Sequence, residues 1–258
     1  PWGVMKVDVV VESTGAVESF EKAAPHVTAA GAKRVVISAP AKDEEGVAGG
    51  KTILMGINED QLATCQVSSN GSCTTNATSP VVAVLNEALG IQKAMLSTTH
   101  AYTATQSLTD APTKGKDFRR GRAAANNITP SSTGAAVSVT RGLPELKGKF
   151  DGIALRVPVI TGSLADITML MKKKTTVEEV NSILKAASEG KRWKGILGYT
   201  KEQLVSSDTI GMQYAALVDS QYTKVVDGDL VKVLSWYDNE WGYVTTLVDH
   251  VKKAADSI

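Results

Sequence analysis

The first apolar run, residues 7–12 (VDVVVE), is interrupted only by Asp8 before Glu12 ends it, and a near-continuous run of this length predicts a strand buried on both faces of a parallel sheet. Ser13-Thr14-Gly15 follows as a turn. Residues 18–30 predict a helix that stops at Gly31, with Pro25 either kinking it or starting a second segment. Residues 34–38 (RVVIS) predict the next strand, and 51–57 and 64–68 two more short ones. Strand, helix and strand in this order indicate a doubly wound α/β unit. A helix is expected over 78–90, where Val81, Val82, Leu85 and Leu89 fall on one face.

The rhythm then changes. Segments 92–100, 150–158, 163–171 and 229–237 predict longer strands without a helix between each pair, which suits a mostly antiparallel sheet. Helices are expected over 132–141 and 176–189, and a last one from Asn239 to about Ala255. The fold class expected is therefore α/β followed by α+β. The first unit spans residues 1–72 and is completed by the helix at 239–258; the second spans 73–238. Between the strands, 106–127 is a long loop containing Asp110, Lys114, Lys116, Asp117, Arg119, Arg120 and Arg122. A loop of this length is usually functional or an interface, although its basic run also reads as a solvated face.

Composition narrows the classes. The chain has 258 residues, 43% hydrophobic and 21% charged, as in globular proteins, and a net charge of +1 gives no global case for nucleic-acid binding. Its two cysteines, Cys65 and Cys73, are too few for a disulfide scaffold and point to a reducing compartment. No apolar stretch is long enough to span a membrane. No metal-ligand pattern is expected.

Cys73 lies between a predicted strand and a predicted helix, where unpaired backbone N–H groups favour a thiolate. A lone cysteine is more often a small buried hydrophobe. The next strand, however, returns the chain to the same end and finishes at His100, so a Cys–His pair is the sharper reading. The other histidines, His26 and His250, lie on helical stretches. Ser131-Ser132-Thr133-Gly134 reads as a helix N-cap or as an anion site, and Arg156 as a partner for a carboxylate or for a phosphate.

Taken in order, SCTTN at 72–76, THAYTATQ at 99–106, SSTGAA at 131–136, RVPV at 156–159 and SWYDNEWGY at 235–243 make the chain resemble glyceraldehyde-3-phosphate dehydrogenase. The resemblance runs from about Trp2 to the C-terminus. It implies phosphorylating oxidation of an aldehyde by way of a thiohemiacetal and a thioester, with Cys73 as nucleophile and His100 as general base. It implies that Thr103 and Arg156 hold the substrate's phosphate, and that Ser72, Thr74, Thr133 and Gly134 hold inorganic phosphate. Thr14, Gly15, Ser38, Ala39 and Asn239 would line the cofactor, NAD with NADP not excluded. The family also implies a homotetramer, with the 106–127 loop between subunits, a cytoplasmic place in glycolysis, and no membrane or nucleic-acid partner.

Two departures stand out. Ala77 occupies a position where the family often carries a second cysteine. The glycine-rich βαβ unit expected before residue 1 is not in the sequence, so the chain is expected to be the C-terminal two-thirds or so of a longer protein. The alternatives are a related dehydrogenase acting on erythrose 4-phosphate and a non-catalytic binding paralogue.

Overall fold

The computed structural model describes residues 1–113 and 115–258. Lys114, part of the expected basic loop, lies outside the described residues.

The chain builds a parallel sheet first. Strands β1 (Val9–Glu12), β2 (Arg34–Ile37), β3 (Lys51–Thr52) and β4 (Val67–Ser69) pair in the order β1-β2-β4-β3, all parallel. Two short helices follow β1. The first, α1 (Phe20–Ala23), is capped by the Ser19 side chain, and the second, α2 (Pro25–Thr28), has Pro25 in its first turn. Proline has no N–H to continue α1, so of the two outcomes expected at Pro25 the chain takes the second. The strand expected over 51–57 shrinks to two residues. Asn58 accepts from the Leu54 N–H at 2.8 Å and donates to the Thr52 carbonyl at 2.9 Å, which folds the chain into a turn.

Helix α3 (Cys73–Leu89) begins five residues before the apolar pattern suggests and carries Pro80 inside it. Its start is a reciprocal cap: Ser72 Oγ accepts from the Thr75 N–H at 3.0 Å, and Thr75 Oγ1 accepts from the Ser72 N–H at 3.2 Å. An interior proline costs about 3 kcal/mol. Val81, Val82 and Leu85 are fully buried around it, and each such burial contributes roughly 1.5–3 kcal/mol, so packing outweighs the break.

The second sheet has seven strands. These are β5 (Ile91–Ala101), β6 (Thr129–Ser132), β7 (Phe150–Val157), β8 (Ser163–Met171), β9 (Leu197–Thr200), β10 (Ala216–Val226) and β11 (Leu230–Tyr237). Their order is β6-β7-β5-β8-β11-β10-β9. The β5–β7 and β9–β10 pairs are parallel and the other neighbours antiparallel, so the sheet is mostly antiparallel. Helices α4 (Ala135–Gly142) and α5 (Val177–Glu189) join α3 on one face, burying Val139, Val180 and Leu184 with Leu96, Ile167, Met169, Val231 and Val233. The expected helix over 132–141 starts three residues late because Ser132 pairs in β6.

The last helix, α6 (Trp241–Asp256), returns to the parallel sheet. Val35 and Ile37 of β2 face the α1–α2 layer with Phe20 and Ala23, whereas Val36 faces α6 with Leu247, Val251 and Ala254. Alternation along one strand thus buries both faces of the sheet. Among the described residues, no helix is long and apolar enough to cross a membrane.

Candidate active site

Every residue of Ser72-Cys73-Thr74-Thr75-Asn76 has a local task. Ser72 and Thr75 cap α3, and Asn76 ties the turn by donating to the Asn70 and Ser72 carbonyls at 2.8 and 2.9 Å. Thr74 Oγ1 lies 2.8 Å from the Tyr237 hydroxyl. Cys73 is thereby fixed as the first residue of α3, half-buried, with its sulfur toward the end of β5. His100 is the penultimate residue of β5, and its Nε2 lies 3.4 Å from Cys73 Sγ. The Cys–His pair read from the sequence is brought together.

Beneath the pair sits Tyr237, 1% exposed, whose hydroxyl also lies 2.8 Å from Thr98 Oγ1. Its ring meets the His100 imidazole edge-on at 5.9 Å between centroids. Burial pushes the Tyr237 phenol well above its ordinary range, so it acts as a neutral hydrogen-bonding floor. The sequence gave no sign that its hydroxyl bridges two threonines.

Arg156 stands beside His100 because β5 and β7 run parallel with those two residues in register. Its Nη1 lies 2.7 Å from His100 Nδ1 and 3.0 Å from the Ala101 carbonyl. No carboxylate pairs with Arg156 among the described residues. Thr103 lies two residues past β5 and shares a hydrogen bond with Thr105 Oγ1 at 2.9 Å. The register sets Thr129, a residue the sequence did not single out, level with Arg156 on its other side. Thr133 and Gly134 follow the far end of β6, where Gly134 caps α4 and Thr133 Oγ1 accepts from the Ala135 N–H at 3.2 Å.

Desolvation dominates the electrostatics. Burial pushes the Cys73 thiol up, against the downward pull of Thr74 and Arg156. Burial and then the Arg156 charge push His100 down to about 4. Both shifts favour the uncharged forms, against the thiolate that the helix terminus alone favours.

Four of the expected cofactor residues, Thr14, Gly15, Ser38 and Ala39, follow the C-terminal ends of the parallel strands β1 and β2, where such sheets bind ligands, while Asn239 follows β11 of the second sheet. Thr14 follows β1, and its N–H donates to buried Glu12 at 2.8 Å. Gly15 takes φ +71°, which glycine adopts at least cost. Ser38 donates its N–H to the Glu12 carbonyl at 2.9 Å, and the Ala39 carbonyl accepts from Ser69 Oγ at 2.6 Å. Asn239 does not cap α6. Instead Asp238 accepts from the Glu240 and Trp241 N–H groups at 2.8 and 3.0 Å. Asn239 Oδ1 accepts from the Gly162 N–H at 3.1 Å and the Ser163 hydroxyl at 3.0 Å. With its oxygen held on that side, its Nδ2 has no partner among the described residues and is left to donate.

Residues 72–239 match the family described as glyceraldehyde 3-phosphate dehydrogenase, C-terminal domain. The chain is 50% identical over 259 aligned positions to a glyceraldehyde-3-phosphate dehydrogenase of Mycobacterium tuberculosis strain H37Rv, covering 100% of this chain and 74% of the relative. It is 49% identical over 251 positions to one from Streptomyces coelicolor, covering 96% and 72%, and 48% identical to one from Borreliella burgdorferi, covering 98% and 75%.

Proposed function

The chain belongs to the glyceraldehyde-3-phosphate dehydrogenase family, and from that premise we propose that it oxidises glyceraldehyde 3-phosphate to the acyl phosphate with NAD and inorganic phosphate. The observation that carries this reading is the 3.4 Å approach of Cys73 Sγ to His100 Nε2 at the start of α3.

His100 Nε2 takes the thiol proton as the sulfur bonds to the aldehyde carbon, which makes a thiohemiacetal on Cys73. The α3 N-terminus and His100 hold the oxyanion that forms. A bound nicotinamide supplies a hydride acceptor. The acyl group is then on Cys73 as a thioester, and phosphate releases it as the acyl phosphate, returning the sulfur to the site. Arg156 and Thr103 hold the substrate's own phosphate, while Ser72, Thr74, Thr133 and Gly134 serve the incoming one. Of these, the hydroxyls of Ser72 and Thr74 and the Ser72 N–H are already shared with Thr75 and Tyr237, so the Thr74 backbone N–H at the helix start is the better donor.

The residues present fit the nicotinamide end of a dinucleotide. The free Nδ2 of Asn239 suits a carboxamide oxygen, and the Thr14-Gly15 and Ser38-Ala39 turns lie at the open strand ends. A homotetramer, with 106–127 at a subunit contact, and a glycolytic role in the cytoplasm complete the reading.

The test is phosphate-dependent NADH formation from glyceraldehyde 3-phosphate by this 258-residue chain. Activity that needs phosphate and vanishes in Cys73→Ser is expected. Acyl-enzyme formation that survives Cys73→Ser overturns the assignment.

A further inference from the structure

His250, in α6, is a buried histidine for which the reaction has no use. It reaches across to the strand that delivers Cys73. Its Nε2 lies 2.8 Å from Ser68 Oγ in β4, and its Nδ1 lies 3.1 Å from Asn70 Oδ1, just past that strand. Ser68 and Asn70 are two residues apart, so their side chains share one side of the chain and the imidazole spans both. Asn70 Nδ2 donates in turn to Thr246 Oγ1 at 3.3 Å, one helical turn before His250. Ser68, Asn70, Thr246 and His250 are each at most 3% exposed. Buried polar groups are costly without partners, so these four hold one another in place. Burial pushes the His250 imidazole down to about 4, which leaves it uncharged at neutral pH.

The stretch they hold has little stiffness of its own. Gly71 takes φ +66°, and glycine has the widest backbone freedom of any residue, so Asn70-Gly71-Ser72 depends on anchors from outside. Asn76 of α3 ties the Asn70 and Ser72 carbonyls. From α6, the Tyr243 hydroxyl donates to the Gly71 carbonyl at 3.1 Å, and the Asn70 side chain hangs on His250 and Thr246. Cys73 follows at once, with its sulfur 3.4 Å from His100 Nε2.

We propose that His250 is a positioning residue for Cys73: it clamps the end of β4 to α6 and so fixes the turn at 70–72 that presents the sulfur to His100. The proposal rests on the reading of Cys73 as the nucleophile. Among the described residues His250 hydrogen-bonds neither Cys73 nor His100, so it acts through Asn70 and the backbone of the turn. Its bond to Asn70 carries the effect, and its bond to Ser68 orients the ring. Two amides separate these bonds. The shorter side chain of His250→Asn places a donor where Nδ1 stands and keeps the bond to Asn70. The longer one of His250→Gln reaches the place of Nε2 and keeps only the bond to Ser68.

The measurement is the rate at which iodoacetamide labels Cys73 in the native chain and in both variants, read by peptide mass. Labelling of Cys65, 4% exposed, reports any unfolding in the same sample. His250→Gln is expected to label Cys73 about tenfold faster than the native chain with Cys65 still unlabelled, because losing a buried hydrogen bond lets the turn open and bares a half-buried thiol. His250→Asn is expected to stay near the native rate. A rate in His250→Gln no higher than the native one overturns the clamp. So does a His250→Asn rate equal to that of His250→Gln, which would make the imidazole mere filling. Iodoacetamide needs neither aldehyde nor cofactor, so loss of the clamp leaves the assignment of Cys73 as it was, and a failed Cys73→Ser test leaves the clamp measurable. If His250→Gln labels Cys65 as well, it has unfolded, and amide exchange of the native chain in rising urea decides. The Gly71 and His250 amides are then expected to open together, with one dependence on urea, and separate openings overturn the proposal.

Discussion

His100 of β5 lies level with Arg156 of β7, and the guanidinium Nη1 rests 2.7 Å from the imidazole Nδ1. Parallel strands in register put these side chains on the same face, so the contact is a property of the sheet and not of a mobile loop. A fixed positive charge beside an imidazole opposes its protonation. Arg156→Gln should therefore raise the His100 pKa from about 4 toward its ordinary value. A pH titration of the ring signals checks this, and an unshifted midpoint would assign the depression to burial alone.

Acid should destabilise the fold through two histidines. His100 and His250 are both pushed down to about 4 by burial. Their folded pKa values lie below the unfolded 6.5, so between pH 6.5 and about 4 the unfolded chain binds protons that the folded chain refuses. Stability then falls as the pH drops through that window, with a slope approaching about 2.7 kcal/mol per pH unit for two protons. Urea midpoints across the range measure it. His250→Gln should roughly halve the slope; an unchanged slope would mean that His250 takes no part.

Tyr237→Phe removes the hydroxyl that lies 2.8 Å from both Thr74 Oγ1 and Thr98 Oγ1. Thr74 Oγ1 loses its partner and Thr98 Oγ1 keeps only the Leu164 carbonyl at 3.2 Å, so a loss of about 1–3 kcal/mol in urea unfolding is expected. A neutral result would show that the two threonines re-pair with other groups.

Thiol labelling should separate the two cysteines. Cys73 is half-buried, whereas Cys65 is 4% exposed at the edge of β4. Iodoacetamide should modify Cys73 alone in the folded chain, as read by peptide mass. Because the Cys73 thiol is pushed above 9.0, its rate should climb ~tenfold per pH unit with no plateau below that value. A plateau near neutrality would mean a resting thiolate.

Asp238→Ala should cost more than Asp238→Asn. The carboxylate is 1% exposed, and it accepts from the N–H groups of Glu240, Trp241 and, at 2.8 Å, Gly211. Alanine leaves all of these without a partner, for a loss of about 2–4 kcal/mol, while asparagine keeps one acceptor oxygen. Equal losses for the two variants would show that shape and not hydrogen bonding matters here.

The sequence by itself determined the chemistry-bearing motifs, the parallel unit before Cys73, the mostly antiparallel sheet after it, and the pairing of Cys73 with His100. These are local signals: apolar runs, turn residues, and a cysteine and a histidine each at an element's end. It missed β6, β9 and β10 and misplaced the start of α3, because capping by Ser72 and burial of the helix override Pro80 and the apolar period. Only the tertiary structure decided that Arg156 touches the imidazole, that Tyr237 bridges Thr74 and Thr98, and that Asp238 rather than Asn239 caps α6. It also decided the direction in which burial shifts each group of the pair. A helix N-terminus favours thiolate from sequence alone, but desolvation depends on what the rest of the chain packs around the sulfur, and that is fixed by strand register and packing across long separations.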